Sequence, residues 1–135
     1  MLGVTRLLQE DFSGDPYKIF VSTMLLVRTR AAQVQKVCPT LFRKYPAVQD
    51  LARARGADLQ RILKPLGLYR TRTRHLRKFA QRIVAQGFPM TREEAEGLPY
   101  VGPYVADAYA ILVLKDYSVR PRDRELQAYL QQLRR

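Results

Sequence analysis

Leu98-Pro99-Tyr100-Val101-Gly102-Pro103-Tyr104-Val105-Ala106 decides the fold of this chain, because it has the pattern of a tight turn between two helices. Upstream of it, Thr91 with Glu94 three residues later is a capping-box pattern, which predicts a short helix over about 92–97. Pro103 suits the first position of a second helix, since its missing N–H would have no helical partner there. We therefore expect a helical hairpin whose second helix begins with free amide groups, an arrangement that suits a phosphate.

The charge of the chain indicates a polyanionic partner. The 135 residues contain 24 Lys and Arg against 12 Asp and Glu, a net charge of +12, and 18 of the cations are arginine. The planar guanidinium group binds two phosphate oxygens at once, so an arginine bias favours nucleic acid. An anionic membrane surface is the alternative, but the basic residues do not gather on one amphipathic helix. The composition therefore predicts a DNA partner and no membrane partner.

Several kinds of site are excluded by composition. With one cysteine, Cys38, and one histidine, His75, the chain has no disulfide framework, no cysteine-ligated iron–sulfur cluster and no histidine-rich metal site of its own. Cys38 lies among apolar neighbours and is predicted to be a small core residue. The longest apolar run, 108–114, is too short to span a bilayer, and the N-terminus lacks a signal-peptide pattern. We expect no cofactor, no metal, a monomer, and a location with DNA, cytoplasmic and nucleoid-associated, or nuclear in a eukaryote.

Almost every segment has helical periodicity, so the predicted fold is all-α, a compact helical domain with a DNA-binding cleft. Pro39 predicts a kink or a break in one helix, near Cys38. We expect a single unit over residues 1–135, in which about 30–115 form a six-helix part with its hairpin near 92–114, and 1–29 and 116–135 pack together as the second half. The helices are predicted at about 16–27, 31–44, 47–53, 57–64, 69–86, 92–97, 104–115 and from Asp123 onward.

Five segments resemble those of the helix-hairpin-helix DNA glycosylases in their order and spacing, over about residues 8–131. Within that family, the resemblance is closest to the thymine/uracil mismatch glycosylases, including those with a methyl-CpG-binding domain. The resemblance implies a glycosylase that flips thymine or uracil mispaired with guanine out of duplex DNA and hydrolyses its N-glycosidic bond without a cofactor. The segments are the hairpin, Asp15-Pro16-Tyr17-Lys18-Ile19-Phe20-Val21-Ser22-Thr23, Lys64-Pro65-Leu66-Gly67-Leu68-Tyr69, Leu26-Val27-Arg28-Thr29 and Arg120-Pro121-Arg122-Asp123.

By this resemblance, the catalytic residues are Asp123 and Tyr104. A carboxylate stabilises the oxocarbenium character of the sugar or orients the attacking water, which is the role implied for Asp123. The alternative is that Asp123 only caps the last helix. Tyr104 stands where the bifunctional members carry a Schiff-base lysine, which implies hydrolysis without strand cleavage. Its side chain then lines the base pocket or bonds near Asp123, or it is an ordinary residue at the rim of the core.

The resemblance also implies which residues contact DNA. Arg28 and Leu68 match the positions that fill the gap left by the flipped base. The alternatives are that Arg28 only contacts a phosphate and that Leu68 is an ordinary turn residue. Tyr100, Gly102 and Val105 belong to the hairpin that holds the backbone. Gln9 matches a residue that recognises the flipped pyrimidine, although a glutamine is more often found on the surface.

Departures from the family pattern limit these expectations. Tyr100 replaces the first glycine of the hairpin signature and is strained if that position needs a positive φ. Thr23 stands where adenine glycosylases keep an acidic residue, which argues against adenine excision. Glu125 stands where close relatives carry a basic residue, so the contacts beside the lesion are expected to differ. The sequence shows no cluster domain and no methyl-CpG-binding domain after the last helix. Two other functions stay open: a non-catalytic DNA-binding module, and a glycosylase/lyase for oxidised or alkylated bases.

Overall fold

The computed structural model describes residues 6–134 and confirms the all-α prediction. No strand occurs among these residues, and none of their helices has the length and apolar composition needed to cross a membrane. Short 3₁₀ segments at Leu8–Phe12 and Lys64–Leu66 accompany the α-helices. In the part of the chain described, these are α1 (Pro16–Leu26), α2 (Ala31–Lys44), α3 (Val48–Ala52), α4 (Gly56–Leu63), α5 (Tyr69–Gln86), α6 (Arg92–Glu96), α7 (Pro103–Leu112) and α8 (Arg124–Leu133).

Helix α1 passes through the centre of the protein. Asp15 caps it by accepting a hydrogen bond from the Lys18 amide at 3.1 Å, and Pro16 occupies its first turn. Its apolar residues surround the helix, so it is buried on nearly every side. The Phe20 ring stacks on Tyr109 of α7 with centroids 4.1 Å apart and contacts Phe79 of α5 at 4.9 Å. Helix α1 thereby connects the long helix α5 with the second helix of the hairpin.

Buried apolar residues form two clusters, and both include residues from α1 and α7. The larger cluster joins α1 to α5 with the hairpin; the smaller one contains Ile19 of α1, Ile111 of α7, and Val119, Leu126 and Leu130 from the C-terminal segment. This second cluster holds α8 against α7. The predicted division into a six-helix part and a second half stays a prediction, and its residues 1–5 and 135 lie outside those described.

Helix α2 runs from Ala31 to Lys44 with Pro39 inside it, so a break near Cys38 is wrong, while the kink, the other alternative, stays a prediction. Pro39 is exposed, and the helix continues because Val34, Val37, Leu41 and Phe42 pack into the core on both sides of it. Cys38 is buried, as predicted, and burial raises the pKa of its thiol to about 12. A thiol in this state is unreactive at neutral pH.

The hairpin forms where the capping pattern placed it. Thr91 Oγ1 accepts a hydrogen bond from the Glu94 amide at 3.1 Å, which starts α6. The Glu94 carboxylate accepts from the amide of Met90 at 2.9 Å, one residue earlier than a capping box requires. Buried Leu98 and Val101 anchor the turn, and Pro103 starts α7. The predicted hairpin is therefore confirmed, although α7 ends at Leu112 rather than near 115.

Candidate active site

A cleft of about 610 Å³ lies between the first turns of α7 and the segment that leads into α8. Because the smaller apolar cluster packs α8 against α7, this cleft contains both predicted catalytic residues, Asp123 and Tyr104. We call it the Asp123 cleft; its lining is Arg92, Pro103, Tyr104, Asp107, Val119, Arg120, Arg122 and Asp123.

Asp123 caps α8 and lines the cleft at the same time. Its Oδ2 accepts a hydrogen bond from the Leu126 amide at 3.0 Å, and the residue is half-buried. A carboxylate has two oxygens, and a single capping bond does not use them both. The sequence left capping and catalysis as alternative roles for Asp123. In the structure the capping bond also fixes the direction of the carboxylate, so the two roles are compatible. Arg120 and Arg122 lie in the same lining and are exposed.

Gln9, near the other end of the chain, contacts Tyr104 in the lining of the cleft. Its Nε2 donates a hydrogen bond to Tyr104 Oη at 3.3 Å, and only 2% of the residue is exposed. The alternative of an ordinary surface glutamine is therefore excluded, and the role in the base pocket stays a prediction. Because the amide donates to the phenol oxygen, the hydroxyl hydrogen of Tyr104 is left for another acceptor.

Tyr104 keeps that hydrogen at neutral pH. Burial raises the pKa of its phenol, and the negative charges of Asp123 and Glu125 raise it further, while the hydrogen bond from Gln9 opposes them. The electrostatic contribution of Asp123 is consistent with the position of both residues in one cleft. Tyr104 is therefore a neutral hydrogen-bond donor beside a carboxylate.

Arg92 and Asp107 form an ion pair in the cleft that the sequence did not predict. Arg92 Nε lies 2.5 Å from Asp107 Oδ1, and its Nη1 lies 3.0 Å from Glu96 Oε1. The hydrogen bond that Arg92 donates to the Asp107 carboxylate raises the pKa of Arg92. The signal was a single carboxylate in an otherwise apolar helix, one turn after Tyr104. Since Asp107 is paired, Asp123 is the carboxylate of this lining that has no ion pair with a described residue.

A second cavity, of about 340 Å³, contains the predicted DNA-contacting residues Arg28, Leu68 and Tyr100. We call it the α1–α5 cavity, because Met24 and Val27 line it from the end of α1, and Thr71 and His75 from α5. The hairpin lies between the two hollows: Tyr100 lines the α1–α5 cavity, and Pro103 and Tyr104 line the Asp123 cleft.

Arg28, Leu68 and Tyr100 all have left-handed backbone conformations, with φ of 61°, 49° and 63°. This region costs a non-glycine residue about 1–2 kcal/mol, and such strain is common at functional sites. The structure confirms that Tyr100 replaces glycine at a position with positive φ. Its ring stacks on His75 at a centroid distance of 3.7 Å, which helps to hold the turn.

Arg72 connects the turn that follows α1 to helix α5. Its guanidinium donates hydrogen bonds to the carbonyl oxygens of Leu25 at 3.0 Å and Val27 at 3.2 Å, and to the hydroxyl of Thr29. The side chain is buried, and burial lowers its pKa. Arg72 therefore holds the turn that carries Arg28. Its guanidinium is buried and bonded within the protein, whereas a phosphate contact needs an exposed arginine.

The other hairpin residues differ in what they offer to DNA. Gly102 is exposed and extended, whereas only 2% of Val105 is exposed, because its side chain packs in the core. Only the backbone of Val105 is therefore available to a phosphate. Pro103 has no N–H, so the free donors of the first turn of α7 are the amides of Tyr104 and Val105. Their DNA contact stays a prediction.

Among residues 6–134, no group of three or more His, Cys, Asp or Glu side chains could hold a metal ion. The Asp123 cleft presents the carboxylate, phenol and guanidinium groups of its own side chains.

Relatives of the chain include proteins named as a DNA glycosylase and as an endonuclease. It is 36% identical over 97 residues to the thymine-DNA glycosylase of Aeropyrum pernix, covering 70% of this chain and 44% of the relative. It is 34% identical over 130 residues to the methyl-CpG-binding domain protein 4-like protein of Arabidopsis thaliana, covering 96% and 28%. It is 32% identical over 107 residues to endonuclease III of Thermotoga maritima, covering 77% and 50%.

The chain thus spans half or less of the length of these relatives. The solved structure of a thermostable thymine-DNA glycosylase superposes with a TM-score of 0.72 at 29% identity, covering 75% of this chain and 48% of that one. The family described as "HhH-GPD superfamily base excision DNA repair protein" matches residues 21–134. The chain therefore belongs to the helix-hairpin-helix (HhH-GPD) superfamily of base excision DNA repair proteins.

Proposed function

We propose that this chain is a monofunctional DNA glycosylase that hydrolyses the N-glycosidic bond of thymine or uracil mispaired with guanine in double-stranded DNA. The observation that carries the proposal is the Asp123 cleft, in which an unpaired carboxylate lies with a neutral phenol held by Gln9. The relatives named as thymine-DNA glycosylases support the choice of substrate, and the relative named endonuclease III supports the wider class.

Access to the glycosidic bond requires the base to leave the duplex. Extrusion costs a few kcal/mol and is easiest at a mispair, which favours a mismatch as the substrate. Arg28 and Leu68 are exposed side chains at one cavity beside the hairpin, where they are placed to fill the vacated stack. The free amides at the start of α7 and the exposed Arg120 and Arg122 would bind phosphates on either side of the extruded nucleotide.

Within the cleft, the sugar and the departing base are assigned to different residues. As the base departs with the bonding electrons, positive charge develops on the sugar, and the Asp123 carboxylate stabilises it or orients the water that adds to C1′. The Tyr104 hydroxyl donates a hydrogen bond to an oxygen of the base or of that water. With one N–H of Gln9 donated to Tyr104, its second N–H and its amide oxygen are the groups that it would offer to the polar edge of a pyrimidine.

Hydrolysis without strand cleavage follows from the residue at position 104. A lyase needs an amine that forms a Schiff base, and tyrosine has none. Lys115 follows in sequence, but it lies beyond the end of α7 and is absent from the lining of the cleft. Borohydride trapping of a covalent adduct with damaged DNA would instead support the glycosylase/lyase alternative.

The test is Asp123→Asn. Asparagine caps a helix as well as aspartate does, so α8 keeps its start and the variant folds. We expect base release from a G·T or G·U duplex to fall by about 100-fold or more. Affinity for the same duplex should remain nearly unchanged. Asp116→Asn, which removes the same charge from the segment before α8, is the control and should keep wild-type activity.

Two outcomes would contradict the proposal. Base release by Asp123→Asn at the wild-type rate would remove Asp123 from the mechanism. No base release by the wild-type protein, over a panel of mismatched and damaged duplexes treated with alkali, would favour the non-catalytic DNA-binding module. Product that appears only after alkali separates hydrolysis from lyase activity in the same assay.

A further inference from the structure

A third hollow lies on α5, away from the residues considered so far. This α5 groove, of about 470 Å³, is lined by four cations, Arg70, Arg74, Arg77 and Lys78, and by no carboxylate. Among the described residues, none of the four forms an ion pair, although Lys44, Arg61 and Arg92 do so elsewhere. The groove is therefore a concentration of uncompensated positive charge.

Polar groups in the groove also lack partners. Only 3% of Thr73 is exposed, and its Oγ1 has no hydrogen-bond partner. The Nε of Arg77 is likewise buried without a partner. Buried polar atoms are hydrogen-bonded in the great majority of cases. Two of the four unpaired ones among the described residues lie in the lining of this one hollow, which favours a polar ligand there.

The start of α4 adds to the positive field. Gly56 opens this helix and lines the groove, and Arg55 gives no side-chain cap to its first amides. Arg77 Nη1 lies 3.7 Å from the position a Cβ would have on Gly56. A cation beside a helix N-terminus is unfavourable, because both are positive, unless an anion lies with them.

The groove and the α1–α5 cavity face opposite ways. Thr71, Arg72, His75 and Leu76 line the cavity, whereas Arg70, Thr73, Arg74 and Arg77 line the groove. At 100° per residue, the mean directions of the two sets differ by roughly 180° around the α5 axis. A duplex held at Arg28 and Leu68 therefore does not also lie along the groove.

We propose that the α5 groove is a second nucleic-acid site, which binds the phosphate backbone of a second duplex while the first occupies the Asp123 cleft. Arg70 to Lys78 extend for roughly 12 Å along the helix, which matches several successive phosphates of one strand better than a single anion. The assignment goes beyond the proposed glycosylase reaction, and it rests on the proposed function only for the first duplex, which that function places at the Asp123 cleft.

The experiment counts duplexes on each protein molecule. A fluorescent, undamaged duplex of about one helical turn, roughly 10 bp, is titrated in sedimentation and anisotropy measurements at several salt concentrations. We expect two duplexes per wild-type protein and one per Arg74→Gln/Arg77→Gln. If the variant still binds a second duplex at low salt, the slope of log affinity against log salt for that duplex should be smaller than in the wild type by about two, one unit for each phosphate contact removed.

A matched control removes the same charge elsewhere. Lys36→Gln/Arg43→Gln takes two exposed cations from α2 that line neither the groove nor the α1–α5 cavity, and it should still bind two duplexes. Equal loss of the second duplex in both double variants would overturn the proposal, because net charge alone would then explain it. One duplex on the wild-type protein would overturn it as well.

Thr73→Val keeps every charge and is the second variant. Valine has nearly the same shape and removes the unpartnered hydroxyl, so the protein should unfold at the same temperature or higher. We expect affinity for the second duplex to fall severalfold, while base release from the first is unchanged. Unaltered affinity for the second duplex in both Thr73→Val and Arg74→Gln/Arg77→Gln would show that the groove binds no DNA.

Discussion

Gln9 and Tyr104, 95 residues apart in the sequence, meet in a hydrogen bond of 3.3 Å between Gln9 Nε2 and Tyr104 Oη. The bond joins the segment before α1 to the first turn of α7, and Tyr104 shares its cleft with Asp123, the cap of α8. Three distant segments thus meet at one cleft. Because the amide is the donor, the phenol is oriented with its hydrogen toward another acceptor, and this orientation can be tested apart from the carboxylate.

Tyr104→Phe should slow base release while leaving the ring packed. The loss of one neutral hydrogen bond is worth about 0.5–1.5 kcal/mol, so we expect a decrease of roughly 2- to 10-fold in the single-turnover rate. Gln9→Met should have a similar effect, and the double variant should be no slower than the worse single one. Tyr117→Phe, at an exposed tyrosine, is the control. Additive losses would show that Gln9 does not act through Tyr104.

Asp107→Asn should destabilise the protein. The change leaves the partly buried Arg92 with only Glu96 as a charged partner, and breaking such a pair costs about 2–3 kcal/mol in the free energy of unfolding. Asp58→Asn, which removes a more exposed carboxylate paired with Lys44 and Arg61, should cost under about 1 kcal/mol. Urea denaturation measures both values, and similar values for the two variants would argue against a structural role for the Arg92–Asp107 pair.

Leu68→Gly should stabilise the protein and impair its function. Leu68 is 61% exposed and has a left-handed conformation, so glycine relieves strain at little loss of packing; we expect a gain of about 0.5–1 kcal/mol. Base release should fall, because no side chain is left to fill the gap in the stack. Leu133→Gly, at an exposed leucine within a helix, should instead destabilise. A stable, fully active Leu68→Gly variant would exclude Leu68 as the residue that replaces the flipped base.

Alkaline pH should weaken the fold through Tyr109. Burial raises the pKa of this phenol from 10.0 to about 12, and its hydroxyl donates to the carbonyl oxygen of Pro89 at 2.7 Å. The unfolded chain therefore releases this proton near pH 10 while the folded chain retains it, so stability is complete below pH 10 and falls as the pH rises toward 12. Tyr109→Phe is the comparison: the difference in unfolding free energy between it and the wild type should shrink over this range. A constant difference would show that the phenol does not titrate as described.

Much of this protein is determined by its sequence, because the deciding interactions are local. Asp15 with Pro16, Thr91 with Glu94, and Pro103 set the starts of α1, α6 and α7 within one helical turn of themselves. Apolar periodicity gave the bounds of α5 as 69–86, as the structure has them. Motif order was enough for the family, since the spacing of the hairpin and Asp123 is a property of the chain rather than of its packing.

Tertiary structure alone decided which side chains are buried and which ones pair with each other. Gln9 is buried and Val105 has its side chain in the core. Leu133 is 42% exposed, because α8 extends past the cluster that holds it. Arg92 and Asp107, 15 residues apart, meet only because α6 folds back on α7. The neighbours of a side chain come from segments far away in the chain, and no local pattern encodes which of them arrive.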